Sequence, residues 1–308
     1  MSKKSAYIIT KPLQYINATN IPDTNKKDCF LIDCFLGFTQ FKDSIEQNSN
    51  YWKEIQAYKT SLNALYYIFL HKNRYNKIFI DSDYGIYKTF IFLFLSPLKI
   101  YTYEEGYGSY RILKEAIRFG DKVYRFFGGN SWIGSNPFTV GIFLYYPDIF
   151  KKYITGNKKE VYKFKRSLYD NLKLLPEINS LLKDLDLNIY ANKDVLIYLS
   201  SWNLNEKIYE CLDDYPNYIK ILKPHPHLVQ LDNPLVSKFD FIVDNIIPSE
   251  IILTKLIDIC KDIVVVHENS SSVLYIGNMN YTDINISIKK TKNDVISNLF
   301  EDIKNELA

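Results

Sequence analysis

The stretch YIKILKPHPH, residues 218–227, ends an apolar run on a lysine and two histidines separated by prolines. Imidazole can donate a hydrogen bond to a phosphate or a leaving group near neutral pH, and lysine adds positive charge. Proline cannot donate to a sheet ladder, so the strand stops here and the rigid backbone holds the ring still. Lys223, His225 and Pro226 are therefore candidates for binding an anion where open α/β sheets place ligands, beyond a strand's carboxyl end. An exposed proline-rich turn reads the same way. His225 and His227 could also ligate a metal, but the sequence offers no evident further ligands.

Other strand ends carry similar groups. Glu104-Glu105-Gly106 closes the run KIYTY with adjacent carboxylates, which are costly there unless solvated, paired or working. Like charges side by side raise one pKa, which suits a general base; a solvated turn or a pair of helix-start acids reads the same way. Gly106 and Gly108 let the backbone turn or approach a ligand. HENSSS (267–272) places Ser270, Ser271 and Ser272 where a helix begins, as anion donors or as an ordinary N-cap. Pro248-Ser249-Glu250 is a plain helix start whose carboxylate could also grip a ribose diol. Asp81-Ser82-Asp83 matches a D-x-D that can hold a divalent ion, but such tripeptides are common at helix starts. No glycine-rich phosphate loop is present.

The elements that must position these groups alternate. Strands are expected at 6–10, 29–35, 77–81, 99–106, 194–201, 218–223, 239–244 and 262–268. Helices are expected at 52–72, 85–95, 111–119, 205–212, 249–260, from about 271, and at 292–307. Such alternation argues for parallel sheets covered on both faces. The rhythm breaks between about 120 and 190, where a Gly-, Asn- and Pro-rich segment precedes the basic stretch 151–166. The economical division is an N-terminal Rossmann-like domain (1–155), a basic linker (156–190) and a C-terminal Rossmann-like domain (191–308).

At 308 residues the chain is long enough for two domains, and a net charge of +3 is too small to suggest nucleic acid. Cys29, Cys34, Cys211 and Cys260 have no metal spacing and read as reduced thiols of a cytosolic protein. The N-terminal residues do not form a signal peptide, and the most apolar segment, 89–98, is far short of a membrane span. The expectation is a soluble protein, at most peripheral on the inner face of the cytoplasmic membrane. The basic stretch is read as a solvated linker or as a patch for anionic lipid.

The order of these features resembles the bacterial sialyltransferases of GT-B architecture, which carry an acidic–acidic–Gly motif, a His-Pro motif and a Ser-Ser/Thr motif. Glu104-Glu105-Gly106, His225-Pro226 and Ser270-Ser271-Ser272 match them. The opening IITKPLQYINA (8–18) looks like the start of glycosyltransferase family 52, which includes lipooligosaccharide sialyltransferases. The resemblance implies an α/β GT-B fold of two Rossmann-like domains facing across a cleft. It implies inverting transfer from CMP-sialic acid to a terminal galactoside of a surface glycan, without a metal or other cofactor. Glu104 or Glu105 would be the base, with Glu104, the first of the pair, preferred, and His225 would stabilise or protonate the departing phosphate. Lys223, Pro226 and the serines would hold the phosphate, and Glu250 the ribose. The implied partners are the nucleotide-sugar donor and a galactoside or glycolipid acceptor, with no nucleic acid; membrane contact and a homodimer are compatible with it. The alternatives are a GT-B transferase with another CMP- or CDP-activated donor, of Kdo or glycerol-phosphate type, or a non-catalytic nucleotide- or glycan-binding protein. The acceptor sugar and linkage are not legible.

Overall fold

The computed structural model describes residues 3–110, 119–182, 185–201, 204, 206–225, 234–244, 246–268, 270–278, 285–290, 301–303 and 305. The chain divides into two compact units, Met1–Leu175 and Pro176–Ala308. The first holds strands β1 (Lys4–Ile9), β2 (Lys27–Ile32), β3 (Glu54–Tyr58), β4 (Tyr75–Ile80), β5 (Lys99–Tyr103), β6 (Thr139–Leu144) and β7 (Glu160–Lys163). The second holds β8 (Asp194–Leu199), β9 (Ile219–Lys223), β10 (Phe241–Ile242), β11 (Asp262–His267) and β12 (Asn285–Lys290). The sheet orders are β3-β2-β1-β4-β5-β6-β7 and β10-β9-β8-β11-β12, and the strand pairs run parallel. Each is a doubly wound order whose direction reverses beside its first strand, at β1/β4 and at β8/β11. Loops at such a reversal diverge and leave a crevice beyond the carboxyl ends.

Parallel strands are buried on both faces, which is why β1, β2 and β8 read as nearly continuous apolar runs. On one face of the first sheet, Ala6, Ile8, Phe30, Ile78, Ile80 and Ile100 pack under helices α3 (Ser61–Leu70) and α4 (Ile86–Phe94). The opposite face carries an aromatic ladder across neighbouring strands. Tyr7 stacks on Phe79 at 4.5 Å, Phe79 on Tyr101 at 5.2 Å, and Phe143 on Tyr162 at 4.8 Å. Tyr101 meets Phe143 edge-on at 5.9 Å. Helix α1 (Pro12–Thr19), which starts with proline in its first turn, is buried at every residue, and α2 (Phe38–Asn48) follows β2. At the amino edge, Lys4 joins Asp28 at 3.0 Å and Glu54 at 2.6 Å, and Arg74 also binds Glu54, so β1, β2 and β3 are pinned away from the ligand edge.

Several expected elements differ. Residues 52–72 are not one helix: 54–58 form edge strand β3 against β2, and Thr60 caps α3 by accepting the Asn63 N–H at 3.2 Å. Strand pairing there overrides a helical pattern, as tertiary context commonly does. The segment 156–190, expected as a linker, contributes β7 to the first sheet, and the first unit runs on to Leu175. In the basic stretch 151–166, Lys151 pairs with Asp148 and Lys159 reaches the Pro137 carbonyl, so these charges dress folded structure. Strands β6 and β12 were not anticipated, and Ser271–Asn278 is a run of 3₁₀ turns. Residues 111–118 and 291–300, which hold most of two expected helices, lie outside the described residues. No helix among the described residues is long and apolar enough to cross a membrane.

Gly141 sits opposite Tyr101 on the ladder face, where a Cβ would lie 2.8 Å from the Glu160 carbonyl oxygen and 2.8 Å from the Tyr162 ring. Backbone cannot yield there cheaply. Gly141→Ala is expected to destabilise the protein by about 1–3 kcal/mol in urea unfolding, from overpacking; an unchanged midpoint would contradict this reading of the β6–β7 edge.

Candidate active site

The acidic pair divides its labour. Glu104 continues the β5–β6 ladder, its N–H donating to the Phe143 carbonyl at 3.0 Å, and its side chain is fully buried. One carboxylate oxygen accepts the Tyr110 hydroxyl and the Tyr145 N–H, the latter at 2.8 Å. Burial first, and the Glu104 charge second, push the Tyr110 phenol well above its usual range, so it remains a donor. That hydroxyl also accepts the Tyr146 N–H at 3.2 Å. Glu104 is thus a buried carboxylate supplied with donors, whereas Glu105 is only half-buried.

The backbone holds Glu105 in place. Its N–H donates to the Ser109 hydroxyl at 3.0 Å, and the Ser109 N–H donates to the Gly106 carbonyl at 3.0 Å. Gly106 has φ +117°, a conformation side chains rarely adopt. A Cβ on Gly108 would stand 2.5 Å from Glu105 Oε1, so that glycine makes room for the carboxylate. From the other side, helix α1 presents Asn17, whose amide donates to the Glu104 carbonyl at 2.8 Å, and Gln14, which reaches the Glu105 carbonyl at 3.5 Å. The Tyr145 hydroxyl donates to Asn17 Oδ1 at 2.9 Å. The KPLQYINA segment and the acidic motif, nearly ninety residues apart in sequence, are therefore one hydrogen-bonded assembly.

In the second unit the other candidates gather at the carboxyl ends of β8, β9 and β11. Lys223 is 3% exposed, and its ammonium donates to the Pro224 carbonyl at 2.7 Å. Burial pulls its pKa down to about 8, against the opposing pull of Glu250 and Asp244. The His225 N–H donates to the Ser200 hydroxyl at 2.9 Å, and the Ser200 N–H donates to the Lys223 carbonyl at 3.1 Å. The turn after β9 is thereby fastened to the end of β8, the strand that borders the reversal in strand order. Pro226 and His227 lie outside the described residues.

The serines are not equivalent. Ser272 is buried, donates to Glu250 Oε1 at 2.8 Å, and shares hydrogen bonds with Ser249 at 2.6 Å and Ser270 at 3.2 Å. It ties the 3₁₀ segment to the first turn of the helix Ser249–Ile259, where the helix dipole also favours the Glu250 carboxylate. Ser270 and Ser271 are half-buried and more accessible.

Other residues lie in this constellation without having been singled out as site residues. Ser200 follows an apolar strand directly. Glu268, which accepts the Tyr198 hydroxyl, is a second buried acid at a strand end, the same signal that marked Glu104. Tyr110, Tyr145 and Asn17 had no local signal, because they matter only through contacts distant in sequence.

The D-x-D reads differently in three dimensions. Asp83 is fully buried; its Oδ1 accepts the Gly134 N–H at 2.9 Å, and its Oδ2 accepts the Asn136 N–H at 3.0 Å and the Thr139 hydroxyl at 2.7 Å. Asp81 accepts the Thr10 hydroxyl across β1 and β4. Asp83 is thus the anchor of the Gly/Asn-rich segment that leads into β6. Among the described residues no group of three or more His, Cys, Asp or Glu could hold a metal ion.

No protein-family model matches the sequence, and no curated protein matches it. Solved structures do match in fold. The wall teichoic acid polymerase TagF, in a histidine-to-asparagine form soaked with CDPG, superposes with a TM-score of 0.52 at 11% identity, covering 97% of this chain and 78% of that one. HepE of Anabaena, in complex with UDP-glucose, superposes with a TM-score of 0.50 at 9% identity, covering 97% of this chain and 89% of that one. With two parallel doubly wound sheets and these structural neighbours, the chain has the α/β fold of the GT-B glycosyltransferases.

Proposed function

We propose that this protein is an inverting glycosyltransferase that moves sialic acid from CMP-sialic acid to a terminal galactoside of a surface glycan such as lipooligosaccharide. The observation that carries the reading is the gathering of Lys223, His225, Glu250, Ser270 and Ser271 at one carboxyl edge. There a buried cation, serine hydroxyls and a carboxylate suit one phosphate and one ribose. The acidic–acidic–Gly, His-Pro and Ser-Ser order adds the choice of donor.

In this reading Glu105 takes the proton of the acceptor hydroxyl as its oxygen attacks the anomeric carbon. The bond from that carbon to the phosphate oxygen breaks, and CMP leaves with the electron pair. His225 and Lys223 stabilise the charge that develops on the phosphate, the term that usually weighs most in such sites. Glu250, held by Ser272, is placed to accept from the ribose hydroxyls. Glu104 touches no substrate and positions Glu105. Fixed donors suffice for a single leaving phosphate, so no metal is invoked. The enzyme would work in the cytoplasm, on an acceptor tethered to the membrane.

A second reading is favoured by the match to TagF: transfer of glycerol phosphate from a CDP-activated donor. The same Lys-Pro-His arrangement would then face a diphosphate. Release of CMP from CMP-sialic acid with lactose as acceptor, set beside CDP-glycerol and UDP-glucose, decides between them. Acceptor-dependent turnover with CMP-sialic acid alone supports the first. Turnover with CDP-glycerol alone installs the second, and neither turnover nor binding of a cytidine nucleotide removes both.

The carboxylates should separate cleanly. Glu105→Gln is expected to lower kcat by about 10²–10⁴, the usual worth of a general base, with unfolding unchanged. Glu104→Gln is expected to lose about 1.5–3 kcal/mol of stability, the worth of hydrogen bonds to a charged group, as measured by denaturant unfolding. The reverse pattern would return the base to Glu104. Lys223 is charged below about 8 and loses that charge as pH rises through it. CMP affinity, measured by calorimetry, should therefore fall with rising pH, approaching tenfold per unit well above that value, and Lys223→Met should flatten the profile. A flat wild-type profile would remove Lys223 from the phosphate.

A further inference from the structure

The first unit leaves a band of aromatic rings uncovered on α3, α4 and α5 (Phe119–Phe126). The rings touch in sequence: Tyr66 meets Phe69 at 6.4 Å, and Phe69 meets Phe94 at 6.1 Å. One turn before Phe94, Phe90 meets Phe127 at 5.7 Å, and Phe127 meets Phe126 at 5.7 Å. Tyr87, at 74% exposed, and Phe126, at 86%, stand furthest out. Isolated apolar side chains on a surface are ordinary, but a continuous band of them marks an interaction site.

The charges around the band say what it meets. Residues 61–74, 86–99 and 122–127 contain no Asp or Glu; the acid Asp121 lies just before the last of these. They do contain exposed cations. Lys72 lies over the Phe69 ring at 5.5 Å, Lys99 follows α4, and Lys122 and Arg125 stand on α5. A second copy docking face to face would bring these cations together, which like-charge repulsion opposes. Aromatic rings interleaved with cations suit instead the boundary between headgroups and acyl chains, where amphipathic rings insert and anionic lipids attract lysine.

We propose that this face binds the surface of a bilayer rich in anionic lipid. The band, and not the basic stretch 151–166 expected from sequence, is then the membrane contact, because it joins apolar area to positive charge. The proposal stands apart from the transfer chemistry, and its test needs neither donor nor acceptor.

The full chain would be floated with phosphatidylcholine vesicles, with and without phosphatidylglycerol. The expected result is binding that needs the anionic lipid and weakens with salt. Tyr87→Ser with Phe126→Ser should reduce partitioning about tenfold or more, from the loss of inserted apolar area, with unchanged thermal unfolding. Lys99→Glu with Lys122→Glu should remove the preference for anionic lipid. Leu174→Ser with Ile189→Ser, exposed positions outside the band, should leave binding as it is. The proposal is overturned if the chain binds no vesicles, or if the aromatic double variant binds like the parent. It is also overturned if only charge reversal at Lys163 and Lys165 abolishes binding. Sedimentation gives the remaining contrary outcome, a dimer that the aromatic variant dissociates.

Discussion

Parallel strand pairing constrains nearly everything else in this chain. A parallel sheet needs a crossover after each strand and must be covered on both faces, so polar side chains that do chemistry are pushed to the strand ends. In the first unit the amino edge is occupied by the Lys4, Asp28, Glu54 and Arg74 network. The carboxyl edge carries Thr10, Asp81, Glu104 and Glu105. The second unit repeats the pattern: Lys223 ends β9 with His225 two residues on, and Ser200 and Glu268 directly follow β8 and β11. The positions are a consequence of topology; the residue types placed there supply the chemistry.

At these edges, buried acids gather donors from several elements and so fasten the loops together. Glu104 gathers Tyr110 and Tyr145, and beside it Glu105 keeps solvent access. Asp83 gathers the backbone of Gly134 and Asn136 and the Thr139 hydroxyl, which seats the segment entering β6. Glu250 is held by Ser272 and sits close enough to Lys223 to oppose the loss of its charge on burial. Isolated charges with no exposure would be costly, and each of these acids is supplied with donors.

Much of the architecture was legible because parallel strands announce themselves as short apolar runs: β1, β2, β4, β8, β9 and β11 fell where such runs predict them. Edge elements were not. β3 is half-buried and lacks a clean period, and β7 hides in a lysine-rich stretch whose charge suggested a linker. The motifs themselves were legible as residue types at strand ends. Their division of roles was not, since Tyr110, Tyr145, Asn17 and Ser200 act through contacts with residues up to 128 positions away. The difference in burial between Glu104 and Glu105 was not legible either, since adjacency in sequence does not reveal it.

The proposed transfer depends on the carboxyl edge of the second unit's sheet serving as a cytidine-nucleotide phosphate site. The most direct test is a crystal structure with CMP bound. The phosphate is expected within hydrogen-bond reach of Lys223 and of Ser270 or Ser271, with the ribose hydroxyls toward Glu250. CMP bound elsewhere, or with its phosphate away from Lys223, would contradict it.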